Sequence, residues 1–143
     1  MSDDFEYIRA RIPTYRGYGD ERSRQDSDKR VRAIVGEALS DALVRFAGKL
    51  DAAAMAACDE LLMQCMFTDQ ALVRRLDHAK LDAARIDALV AADRLLVELE
   101  EELMNASTVD ELSPLVARLH DQFARRRDAT QDVPASGPLS PAG

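Results

Sequence analysis

Tyrosine and arginine side chains are concentrated in one short segment near the beginning of the chain. All three tyrosines of the protein fall within residues 7–18, interleaved with three arginines. The six residues are Tyr7, Arg9, Arg11, Tyr15, Arg16 and Tyr18. Tyrosine and arginine dominate the hot spots of protein interfaces, because rings and guanidinium groups give much contact area at little cost in ordering. We therefore predict that these six residues bind another protein.

Two other roles are open for the same segment. Its rings could lie across the rest of the chain and complete a core that is poor in aromatic residues. They could also stack, together with the arginines, on nucleic-acid bases. Residues 1–30 carry seven acidic and seven basic side chains, so the segment offers no excess of positive charge. Nucleic acid is therefore not expected as a partner.

Neither the histidines nor the cysteines occur in a metal-binding pattern. His78 and His120 each lack a glutamate three residues earlier, and there is no Cys-x-x-Cys pair. Cys58 and Cys65, with three neighbouring methionines, could form a soft site for Cu(I). Free cysteine and methionine more often fill a core, and packing is the role that we predict for them. No metal and no cofactor are expected.

The sequence contains no motif that indicates catalysis. It lacks Gly-x-Ser-x-Gly, a glycine-rich phosphate loop, and a nucleophile that could pair with a histidine. Glu98 and the run Glu100-Glu101-Glu102 are predicted to be a solvated helix face, with an acidic patch for a basic partner as the alternative. We predict no catalytic residue.

Size and composition favour one small acidic domain. The chain has 143 residues, a net charge of −7, no tryptophan and 5% aromatic residues. The negative charge argues against a general affinity for nucleic acid or anionic membranes. The first residues do not resemble a signal peptide, and no apolar run is long enough to span a bilayer. A cytoplasmic location, reduced cysteines and no membrane partner are expected.

After Gly19, apolar residues recur with the period of an α-helix and nowhere with the period of a strand. The predicted helices run from residue 20 to about 50, from 52 to about 67, from about 69 to 104 with a break near 80–82, and from Thr108 or Ser113 to about Arg127. Asp20, Asp51 and Thr68 are the predicted caps of the first three helices. The sequence thus predicts an all-α fold, an antiparallel bundle of about four helices over residues 20–127. An irregular N-terminal arm (residues 1–19) and a flexible C-terminal tail (residues 128–143) are predicted to flank it.

Two of these helices have more apolar surface than one neighbour could cover. The segment 52–67 contains only three polar residues, which places it either in the centre of the core or at a subunit interface. The segment 86–103 has a broad apolar face and is expected to touch several helices. Arg32 falls on the polar side of its helix, and Arg125–Arg127 are expected to face the helix C-terminal dipole.

These features predict a small non-enzymatic helical protein that acts through protein–protein interaction, as an adaptor or regulatory module. Its partner is another protein or a second copy of itself, and a homodimer is the simplest way to cover the spare apolar faces. One alternative is an antitoxin-like regulator whose arm or tail folds on its target. Another is a small helical enzyme that holds an anionic substrate between arm and bundle, with Arg9, Arg11 or Arg16 as the binding groups.

Overall fold

The computed structural model describes residues 3–77 and 81–131. All regular secondary structure within these two ranges is helical, so the predicted all-α class is confirmed. The helices are α1 (Asp3–Arg11), a 3-10 helix (Glu21–Ser23), α2 (Arg24–Arg45), α3 (Ala52–Met66), α4 (Gln70–Leu76), α5 (Ala83–Asn105) and α6 (Val109–Asp128). None of the helices in the described ranges is long and apolar enough to cross a membrane.

The four long helices α2, α3, α5 and α6 form the bundle. Helix α2 packs against α3 and α5, and α6 packs against the same two helices. Helices that follow each other along the chain run in opposite directions, but the neighbours α2 and α5 run parallel. Arg45, at the end of α2, donates hydrogen bonds to the carbonyls of Leu103 and Ala106 at the end of α5, at 2.9 and 3.2 Å. The short helices α1 and α4 pack against α5 and α2 respectively.

Most helix starts follow from local capping. The side chains of Asp51 and Thr108 each accept a backbone N–H bond at the start of α3 and of α6. Thr108 is therefore the correct one of the two predicted starts, and α6 continues through Pro114. Asp69 caps α4, so the prediction of Thr68 was wrong. A carboxylate accepts the same bond and adds a favourable interaction with the helix dipole, which explains the preference.

The N-terminal segment differs from the predicted irregular arm. Residues 3–11 form α1, with acidic residues in its first turn and arginines in its last, an arrangement that suits the helix dipole. The irregular part is confined to residues 12–20. Within it Gly17 has a positive φ of 72°, and a Cβ atom there would lie 2.9 Å from the ring of Phe5. Glycine is thus required at the turn that brings the segment back to α2.

The same segment supplies part of the core. Ile8, Ile12, Tyr15 and Tyr18 are each at most 6% exposed. Their burial therefore agrees with the alternative interpretation, in which these side chains complete a core that is poor in aromatic residues. The predicted tail lies mostly outside the described residues, since α6 ends at Asp128 and the description ends at residue 131.

Candidate functional site

The two buried tyrosines of the N-terminal segment meet at one carboxylate. The hydroxyl groups of Tyr15 and Tyr18 both donate to Oδ2 of Asp93 in α5, at 2.8 and 2.5 Å. Asp93 is 0% exposed. The segment is thus attached to the middle of the bundle by two hydrogen bonds to a charged acceptor, a class of bond stronger than one between neutral groups.

Asp93 belongs to a buried polar network that spans the bundle. Arg126 of α6 donates to Oδ1 of Asp93 at 3.1 Å and also to Asp28 of α2. Asp28 in turn accepts from Arg32, which donates to the carbonyl of Cys65 at the end of α3 at 2.9 Å. The network therefore joins all four long helices to the N-terminal segment. We call it the Asp93 network, and its members are Tyr15, Tyr18, Asp28, Arg32, Asp93 and Arg126.

The charges in this network balance, with two carboxylates facing two guanidinium groups. Burial alone would lower the pKa of Arg126, but Asp28 and Asp93 raise it above its ordinary value. Burial raises the pKa of Asp93, while Arg126 and the two hydroxyl groups oppose that rise. Burial and the Asp93 carboxylate also raise the pKa of Tyr15 and Tyr18. Because these groups are shielded from solvent, the network stabilises the fold and offers no open acid, base or nucleophile.

Tyr7 and Arg11 lie instead against the second half of α5. The hydroxyl of Tyr7 donates to Glu101 at 3.0 Å. Nε of Arg11 lies 3.2 Å from both carboxylate oxygens of Glu100, whose hydrogen bond raises the pKa of Arg11. Glu100 is 0% exposed, so the prediction of a solvated acidic face is wrong for this residue. Its position was missed because its partner comes from α1, which is distant in sequence.

Arg9 and Arg16, the two remaining predicted site residues, are exposed on the outside of the N-terminal segment. Both line a cleft between that segment and the start of α2. The structure thus divides the six predicted residues into three pairs rather than bringing them into one patch. That they bind another protein stays a prediction, and only the four outside the core have surface available for contact.

The largest exposed apolar side chains that neighbour one another lie at the end of α3. Met63, Met66 and Phe67 are 58, 65 and 62% exposed, and Met55, about two to three turns earlier, is 40% exposed. Grooves of about 650 and 510 Å³ flank this end of α3, the first bordered by Met66 and the second by Met63 and Phe67. An apolar cluster of this kind beside grooves is typical of a protein interaction surface.

Only three side chains of α3 are buried, namely Cys58, Leu61 and Cys65. This finding excludes the predicted central position of the helix within the described fold. The other predicted placement, at a subunit interface, stays a prediction. We call the solvent-facing side the outer face of α3, which includes Ala52, Met55, Ala56, Asp59, Glu60, Met63, Met66 and Phe67.

The two cysteines are free and buried, as their predicted packing role requires. Burial raises the pKa of both thiols, that of Cys65 to about 12. Both are therefore unreactive at neutral pH. Within the described ranges no group of three or more histidine, cysteine, aspartate or glutamate side chains could hold a metal ion. His78 lies outside those ranges.

Sequence reasoning missed the charged members of the Asp93 network. Arg32 is 7% exposed and Arg126 is 2% exposed, so placing them on polar surfaces was wrong. Periodicity held a signal, because Asp93 follows Leu89 and precedes Leu96 on the apolar side of α5. Arg126 likewise follows Phe123 on the apolar side of α6. A charged residue at a buried register position indicates an interior partner on another helix.

Comparisons of the chain with models of protein families, with curated proteins and with solved structures find no match.

Proposed function

We propose that this protein is a non-enzymatic helical module that acts by binding another protein, and that the partner on the outer face of α3 is a second copy of the chain. The observation that carries the proposal is the exposure of an apolar helix. α3 has only three polar residues, yet it buries only three of its side chains against the rest of the described chain. Leaving so much apolar surface in water is unfavourable, and association removes it.

The change in side-chain size along the outer face favours a second copy as the partner. Two alanines and one methionine, Ala52, Ala56 and Met55, make one end of the face smaller, whereas Met63, Met66 and Phe67 make the other end large. Two α3 helices that pair antiparallel about a two-fold axis place the large end of each against the small end of the other. Such an arrangement is self-complementary, as a symmetric dimer requires.

Antiparallel pairing also places Asp59 near the symmetry axis, because it lies midway between Ala52 and Met66. The two copies of Asp59 would then approach each other, and like charges in proximity weaken association. The proposed dimer is therefore reversible rather than permanent, which suits an adaptor or regulatory module.

The free buried thiols Cys58 and Cys65 support a cytoplasmic location as part of the proposal, because a reducing compartment preserves them.

Sedimentation velocity over a series of protein concentrations tests the proposal. We expect a monomer–dimer equilibrium for the native chain, and a monomer for Met63→Lys and Phe67→Lys, because a charged lysine is costly to desolvate where an apolar side chain is buried. The matched control is Val44→Lys. Val44 is 76% exposed on α2, away from the outer face of α3, so this variant should dimerise like the native chain.

Asp59→Asn tests the orientation of the two helices. Removing the like charges on the axis should strengthen dimerisation, whereas Asp87→Asn, which removes an exposed carboxylate of α5, should leave it unchanged. A native chain that stays monomeric at every concentration would refute self-association. Dimerisation that survives both Met63→Lys and Phe67→Lys would show that the outer face of α3 is not the interface.

A further inference from the structure

Four arginines line one cleft at the N-terminal end of the molecule. Arg9 comes from α1, Arg16 from the irregular residues 12–20, Arg22 from the 3-10 helix and Arg30 from α2. We call this the arginine cleft; its volume is about 730 Å³. Clefts of roughly 300–1,000 Å³ are the size class that holds small molecules. Four chain segments therefore bring positive side chains around a space of ligand size.

The charge of the arginine cleft is opposite to that of the protein. Its acidic lining residues are Asp20 and Asp26, so four positive and two negative side chains leave a net charge of +2. The whole chain has a net charge of −7. Because the cleft is concave and positively charged, it concentrates the electric field and attracts anions, although the chain as a whole is negatively charged.

The acidic residues of the cleft are already engaged. Asp26 pairs with Arg30 at 2.7 Å, and the side chain of Asp20 accepts the backbone N–H of Arg22 as a helix cap. Arg9 donates to the carbonyl of Pro13 at 3.2 Å, which leaves its charge uncompensated. Among the ion pairs of the described residues, none involves Arg16 or the side chain of Arg22.

We propose that the arginine cleft binds a small phosphorylated ligand. The guanidinium fork matches the geometry of phosphate oxygens, and two forks without carboxylate partners can contact the same ligand. Several arginines elsewhere do have carboxylate partners, as Arg45 has Asp41 and Arg118 has Glu102. The half-buried ring of Phe5 contributes an apolar wall on which the rest of the ligand can pack. This binding is independent of self-association through α3.

The phosphate assignment is favoured over an acidic peptide by the shape of the site. A peptide in an extended conformation advances about 3.3 Å per residue and needs a long groove. The arginine cleft is instead a space of about 730 Å³ bordered by α1, residues 12–20, the 3-10 helix and the first turns of α2. A compact ligand with several negative charges matches both the volume and the number of arginines.

Isothermal titration calorimetry of the full chain with sodium pyrophosphate tests the proposal. We expect Arg16→Gln and Arg22→Gln each to weaken binding by about tenfold or more, since one charge-assisted bond contributes at least that factor. Arg118→Gln is the matched control, because Arg118 is an exposed arginine on α6 outside the cleft. It should bind pyrophosphate like the native chain. Binding should also weaken as salt increases.

Further arms of the experiment separate the ligand classes. The tricarboxylate tricarballylate should bind more weakly than pyrophosphate, and hexaglutamate should not compete with it. Absence of pyrophosphate binding, an equal loss in Arg118→Gln, or tighter binding of hexaglutamate would each overturn the proposal. The Met63→Lys variant should bind pyrophosphate normally, so failure of the dimer proposal and failure of this proposal give different results.

Discussion

The Asp93 network places four charged side chains in the interior, whereas the outer face of α3 places four large apolar side chains in solvent. Asp28, Arg32, Asp93 and Arg126 are each at most 7% exposed, and the apolar side chains on α3 are each at least 40% exposed. Both regions depart from the usual distribution of polar and apolar groups.

The two regions differ in whether the chain supplies partners for them. Every carboxylate of the Asp93 network meets a guanidinium group, so its desolvation is offset by ion pairs and hydrogen bonds. The apolar side chains of the outer face of α3 have no such compensation within the described chain. The interior region therefore explains how the fold is held together, and the surface region is where we propose that a partner binds.

The largest effect is expected from breaking the interior region. Arg126→Met leaves two buried carboxylates without their common cation, and should lower the free energy of unfolding by about 3–5 kcal/mol. Urea denaturation followed by circular dichroism measures the change. Arg125→Met removes an exposed neighbouring arginine and should stay within about 0.5 kcal/mol of the native chain. Equal effects of the two substitutions would contradict the structural role of Arg126.

A second comparison uses two residues of the same helix. Leu61→Ala removes a fully buried side chain of α3 and should cost about 2–5 kcal/mol, because a cavity remains. Met63→Ala on the outer face should cost no more than about 0.5 kcal/mol when measured at low protein concentration. At high concentration its cost should grow, since dimerisation stabilises the native chain only. A large cost at low concentration would mean that Met63 belongs to the core.

The shared acceptor of the two tyrosines predicts an effect that is not additive. Tyr15→Phe and Tyr18→Phe should each cost about 1–2 kcal/mol, because Oδ2 of Asp93 keeps one donor in either variant. The double variant leaves that oxygen buried without a donor and should cost more than the sum. Tyr7→Phe is the control, since its hydroxyl bonds the exposed Glu101. Strict additivity would show that the two hydroxyls act independently.

The last prediction concerns alkaline pH, because its effect is absent near neutral pH. The pKa of Tyr15 and of Tyr18 is raised in the folded chain, so their contribution to stability is complete below the unfolded-state pKa of about 10 and is lost as pH rises above it. The free energy of unfolding should fall by about 1.4 kcal/mol per pH unit for each tyrosine. Unfolding measured from about pH 9 to about pH 11 should show a shallower decline in the Tyr15→Phe/Tyr18→Phe variant. An unchanged decline would contradict the burial of these hydroxyls.

Much of the fold could be predicted from local signals. Asp51 and Thr108 cap their helices through groups that lie within three residues, so the starts of α3 and α6 were correct. The apolar stripe of α2 could be predicted for the same reason, because its residues lie three or four positions apart along the chain. Helix α1 was missed because Pro13, Gly17 and Gly19 follow it closely and indicate an irregular segment, whereas only the charge pattern of its first and last turns indicates a helix.

The site could be predicted only in part. The sequence marked Arg9 and Arg16 as binding residues, but it could not show that folding adds Arg22 and Arg30 to the same cleft. It also could not separate Tyr15 and Tyr18, which are buried, from Tyr7 on the surface. These differences depend on which side chains meet after the helices pack.

The sequence by itself determined the all-α class, the helix caps and the excess of apolar surface on α3, because each depends on residues close together along the chain. Only the tertiary structure decided that Asp93 and Arg126 are interior and that α3 lies at the edge of the bundle. The reason is that burial is set by contacts between helices, such as the pair of Asp28 and Arg126 separated by 98 residues. Local periodicity shows that a helix has an apolar face, and packing decides which face stays uncovered.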